Sequence, residues 1–123
     1  MDIDFYHRTR SEFPELTAMA DREHVRVWGE VDEDTAFCWF ESLAKALNQE
    51  MRNGVPSKGY NHLFRYFNDQ YREGCNKVKE CIDVSFIENL FWDVPSSKCE
   101  TYWRDLPADL KDLYIEFHGK RPL

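Results

Sequence analysis

Cysteine, histidine and clustered carboxylates are the side chains that most often hold metals or carry out catalysis, and this chain has four cysteines, four histidines and an acid run at Asp32, Glu33 and Asp34. Zinc needs Cys or His ligands at clustering intervals. Here His7, His24, His62 and His118 are scattered, no CxxC pair occurs, and the gap from Cys75 to Cys81 is wrong for a zinc hook. A calcium loop opening at Asp32 would place its turning glycine at Phe37 and its bidentate glutamate at Leu43, so that reading fails. For acyl transfer, no GxSxG elbow or supported Cys/His pair is legible, and Cys38 lies between Phe37 and Trp39, where a small core residue is the commoner role. The five glycines lie too far apart to form a phosphate loop. No enzyme activity, metal or cofactor is expected.

Binding chemistry remains. Residues 1–41 hold eleven acids against four bases, which equals the whole formal charge of −7, while the rest of the chain carries twelve of each. That asymmetry repels nucleic acid and anionic lipid and attracts a basic partner. The densest part is Glu30, Asp32, Glu33 and Asp34. Helix capping accounts for one or two of these, since only the first helical turn benefits, and leaves the others free to face a partner. Trp28, just before the cluster, and Trp39, off the apolar seam of its helix, are the aromatic residues placed to anchor an interface.

The elements that must position these residues are helical. Apolar residues Phe37, Phe40, Ala44, Leu47 and Met51 recur at intervals of three and four, so an amphipathic helix is expected over residues 32–51, with Asn53 and Gly54 ending it. Tyr60, Leu63, Phe64, Phe67 and Tyr71 predict another over residues 60–73. Residues 3–20 read as one or two short helices, Pro14 fitting the first turn of a second that runs to about Ala20. The run from His24 to Trp28, bounded by Gly29, reads as a connector, because no partner strand is visible. From near Asn76 a helix is expected to become apolar all round between Asp83 and Pro95, the pattern of a central helix wrapped by its neighbours. Glu88 and Asn89 within it would need partners or would line a groove. Two further helices follow over residues 96–104 and 107–117. The expected fold is a single compact all-α domain spanning residues 1–123, with about six helices around the buried central one.

No run approaches the roughly 18 apolar residues that a membrane span needs. Neither a signal-peptide pattern nor paired cysteines are seen, so reduced thiols and a cytoplasmic setting are expected.

The tail SFIENLFWDVPSSKCETYWRDLPADLKDLYIEFHGKRPL, through its ENLFWDVP, TYWRDLP and LKDLYIEFHG stretches, resembles the C-terminal half of a family of small, acidic, all-α bacterial proteins. Similar-looking proteins include immunity proteins of contact-dependent growth inhibition and related polymorphic toxin systems. The resemblance implies a cytoplasmic inhibitor acting as a monomer in a 1:1 complex with a cognate basic toxin domain, typically a nuclease, with no direct nucleic-acid binding and no membrane association. It carries over no functional residues. The contact residues expected from charge and exposure are Trp28, Glu30, Asp32, Glu33, Asp34 and Trp39. The competing class is a non-catalytic adaptor or regulatory protein whose aromatic grooves hold a partner helix or peptide.

Overall fold

Capping chemistry sets the helix boundaries of the computed structural model, which describes residues 1–123. Asp2 accepts the Phe5 N–H at 3.0 Å and opens α1 (Ile3–Glu12). Pro14 stands in the first turn of α2 (Pro14–Trp28), where its missing N–H has no helical partner to lose, and Gly29, at φ 88°, ends the helix in the left-handed region. Asp32 accepts the Asp34 N–H at 2.8 Å and opens a 3-10 turn, Glu33–Thr35, leading into α3 (Ala36–Arg52). A second 3-10 turn, Ser57–Tyr60, precedes α4 (Asn61–Glu73), and α5 (Asn76–Glu80), α6 (Ser96–Asp105) and α7 (Ala108–His118) complete seven α-helices with no strand. The all-α class expected from periodicity is the class observed.

The apolar seam of α3 explains why it lies at the centre. Trp39, Phe40, Leu43, Leu47 and Met51 are all buried, and α3 packs against α2, α6 and the segment that follows α5. Aromatic rings carry the core across elements. Phe5 of α1 stacks on Phe40 of α3 at 5.1 Å between centroids, Phe40 lies 6.1 Å from Phe67 of α4, and Phe67 meets Phe86 edge-on at 4.6 Å. Each such pair adds about 0.5–1.5 kcal/mol beyond its buried area. A second set, Phe91, Trp103 and Tyr114, joins the C-terminal helices at 5.4 to 5.9 Å.

Two expectations are corrected. The run from His24 to Trp28 is the last part of α2 and not a connector, because His24 buries its ring against α3 while Val25 and Val27 face outward. Their β-branching lowers helix propensity by only a few tenths of a kcal/mol, about what one such tertiary contact outweighs. The stretch from Asn76 to Pro95 is not one buried helix. After α5 it widens into a π-helix, Cys81–Phe86, tightens into a 3-10 turn, Ile87–Asn89, and then turns sharply over residues 90–93. Phe91 and Asp93 occupy the left-handed region at φ 71° and 55°. The reversal buries Leu90 and Phe91 and leaves Trp92 outside, where the expected buried helix would have covered all three.

Asn48 of α3 holds this turn. Its Nδ2 donates to the Asn89 carbonyl at 3.0 Å and its Oδ1 accepts the Phe91 N–H at 2.7 Å, on a side chain only 1% exposed. Asn89 thus joins the turn through its carbonyl, and its side chain finds the partner that the sequence required. Asn89 Nδ2 donates to the Ser85 carbonyl at 2.8 Å, the Glu88 carbonyl faces His118 Nε2 at 3.2 Å, and both side chains are half-buried. Asn48→Ala would strip partners from a buried N–H and a carbonyl, and about 2–3 kcal/mol of stability should be lost in urea unfolding with helical content retained. A loss below about 0.5 kcal/mol would show that the turn holds without the clamp.

Candidate functional site

Three helices meet at the Asp21 carboxylate. Arg10 of α1 donates to it through both terminal nitrogens, at 2.6 and 3.0 Å, and Trp39 Nε1 of α3 donates to its Oδ1 at 2.8 Å. The guanidinium also lies over the rings of Tyr6 and Trp39, at 5.3 and 5.5 Å. The Asp21 hydrogen bonds hold the Arg10 pKa above its ordinary value. Trp39 is consequently 1% exposed and anchors no interface, contrary to expectation. Its side of α3 is indeed off the main seam, but α1 and α2 cover it.

One turn further along α2, His24 is fully buried, with Nδ1 2.8 Å from Ser42 Oγ and Nε2 2.9 Å from Thr35 Oγ1. Thr35 Oγ1 spends its proton on the Asp32 carbonyl at 3.3 Å, so it accepts from His24 Nε2–H, and Nδ1 accepts from Ser42. A neutral imidazole fits both ring contacts, with the Ser42 proton given to Nδ1 in the shorter bond in place of the Cys38 carbonyl 3.4 Å away. Burial pushes the His24 pKa below its ordinary value, with Asp21 and Asp32 opposing weakly. The ring thus ties α2 to Ser42 within α3 and to Thr35, the last residue of the segment 29–35 that joins the two helices.

On that segment the candidate residues divide. Asp32 is half-buried and spends its carboxylate on capping. Glu33 is exposed and meets His7 Nε2 of α1 at 2.7 Å. Glu30 and Asp34 are exposed and take part in no side-chain hydrogen bond or ion pair, so their charges are free to face a partner. Trp28 stacks on His24, with centroids 6.1 Å apart and planes at 25°, and is 46% exposed. Sequence reasoning missed its neighbours Val25 and Val27, which are also exposed and give α2 an apolar end beside the acids. The signal was present as the β-branched run, but a connector reading gave it no face. The structure therefore brings Trp28, Glu30, Asp32, Glu33 and Asp34 together and leaves Trp39 apart.

Chemistry elsewhere is subdued. All four cysteines are free; burial raises the Cys38 thiol, pushes Cys99 up to about 11 and Cys81 higher still. No group of three or more His, Cys, Asp or Glu side chains is placed to hold a metal ion, and no helix is long and apolar enough to cross a membrane.

Residues 6–119 match the family model described as a domain of unknown function, DUF7674. The chain belongs to this family. No curated protein and no solved structure matches it. In this DUF7674 chain the matched region takes in the Asp21 junction, the His24 bridge and the Asn48 clamp alike.

The buried His24 makes the stability of this DUF7674 chain depend on pH. Its folded pKa is depressed below 6.5, so its contribution is complete above that value and is lost as pH falls through the folded pKa, where the unfolded chain binds more protons. Denaturation midpoints should therefore decline from about pH 6.5 toward pH 5, and His24→Gln should flatten the decline. An undiminished slope in the variant would assign the effect to other groups.

Proposed function

We propose that this protein is a non-catalytic inhibitor of the immunity type, which binds a basic toxin domain, most simply a nuclease, and covers its active cleft or the approach to it. The observation that carries this reading is the anchored segment after α2: an exposed Trp28 flanked by Val25 and Val27, followed at once by the free carboxylates of Glu30 and Asp34. An apolar centre with a charged rim is the arrangement of a specific interface. A nuclease cleft is basic because it holds phosphates, so acids facing it accelerate encounter, while a buried indole slows dissociation. Anchoring by His24 means that little ordering entropy is spent on binding. Such an inhibitor works in the cytoplasm, as a monomer in a 1:1 complex, and the four free thiols fit that setting.

The adaptor reading has one observation in its favour. A groove of about 280 Å³ between the α1–α2 joint and the start of α4, walled by Phe13, Leu16, Met19, Tyr60 and Leu63, has room for an apolar side chain of a partner helix. Its rim carries Glu12, Glu15 and His62.

Co-expression with the C-terminal domain encoded immediately upstream tests the inhibitor reading. Growth should be rescued and the two proteins should co-purify, with Leu16→Ala or Met19→Ala leaving rescue intact. If the upstream domain is harmless, or kills despite this protein without binding it, the inhibitor reading is lost. Rescue that depends on the groove and not on Trp28 would transfer the function to the adaptor surface.

A further inference from the structure

The turn over residues 90–93 places Trp92 68% exposed, the most exposed large apolar side chain in the protein. Its backbone is costly to make: two non-glycine residues, Phe91 and Asp93, sit in the left-handed region, and the buried Asn48 is committed to holding them. Strain of this kind is kept where the conformation it enforces is used. Beside Trp92 lies a concavity of about 200 Å³ lined by Glu23, Arg26, Lys45, Asn48, Arg52 and Asp93.

The charges of this concavity are unequally used. Arg26 is paired with Glu23 at 2.5 Å and Lys45 lies 3.6 Å from Glu41. Arg52 forms no ion pair; it donates to neutral acceptors, the Asp93 carbonyl at 3.2 Å and Gln49 Oε1 at 3.1 Å. Two of its five N–H donors are thereby engaged and its charge is uncompensated. The volume falls below the roughly 300 Å³ at which pockets for whole metabolites begin, and matches a single side chain. The lining carries three cations, Arg26, Lys45 and Arg52, against two carboxylates, Glu23 and Asp93, a local excess of one positive charge that suits a single carboxylate and not a polyphosphate chain.

We propose that the Trp92 turn is a docking site for an acidic-apolar protein segment, one carboxylate of which enters between Arg52 and Lys45 while its apolar neighbour packs on the Trp92 indole. Trp and Arg are the residues over-represented where a few contacts carry most of a binding energy. The surface is of opposite charge preference to the segment after Trp28, and its occupancy does not depend on the inhibitor reading.

The test is an NMR titration of the isotope-labelled full chain with a blocked peptide of alternating leucine and glutamate, alongside its lysine counterpart and an oligothymidylate. The acidic peptide should shift the Trp92 indole N–H and the Arg52 Nε–H saturably, and the lysine peptide should not. Trp92→Ala and Lys45→Gln should each weaken binding about fivefold or more, whereas Trp28→Ala should leave it unchanged. Lys45→Gln spares the Arg52 bridge to Asp93 and so separates charge from turn geometry. Absence of a saturable shift, equal response to both peptides, or insensitivity to Lys45→Gln would overturn the proposal. A stronger response to oligothymidylate would reassign the site to nucleic acid, and concentration-dependent shifts without peptide would reassign it to a second copy of the chain.

Discussion

The Asp21 carboxylate, engaged by Arg10 and by the Trp39 indole, is the interaction on which the packing of the first three helices rests. It joins α1, α2 and α3 at one partly buried point. A charge taken out of water is tolerable only when paired and hydrogen-bonded, and here both oxygens are met. Because that junction fixes α2 on α3, His24 falls opposite Ser42 and Thr35 one turn later. The acids after Gly29 therefore project from a stiff segment, where a free loop would have to be ordered on binding.

Like residues divide their roles according to where the fold places them. Two of the four tryptophans, Trp39 and Trp103, are interior, and Trp28 and Trp92 are exposed, each beside charge of opposite character. Of the acids clustered after α2, Asp32 builds the turn, Glu33 leans on His7, and Glu30 and Asp34 are free. A uniform acidic patch in the sequence is thus a graded one in the fold.

The long amphipathic helices were legible because their apolar residues recur at helical spacing: Phe40, Leu43 and Leu47 occupy the buried side of α3, and Leu63, Phe64 and Phe67 that of α4. What local pattern could not reveal were contacts between residues far apart in the chain. Trp39 lies off its seam and would be exposed in a two-layer packing; it is covered by residues far upstream, Tyr6 edge-on at 5.6 Å and Arg10, bound to the same Asp21 oxygen, at 5.5 Å. Likewise Trp92 falls inside an all-round apolar run, and its exposure follows from Asn48 reaching across 43 positions to Phe91. The capping role of Asp32 and the exposure of Trp28 beside the acids were legible because capping and charge density are local properties.

Hydrogen exchange of the protein, free and bound to whichever upstream-encoded domain the co-expression test recovers with it, is the most direct test of the proposed partner surface. Amides of residues 25–35 should exchange more slowly in the complex, with α6 and α7 unchanged. Protection confined to other surfaces, with residues 25–35 exchanging as in the free protein, would contradict the assignment of the acidic segment as the inhibitory face.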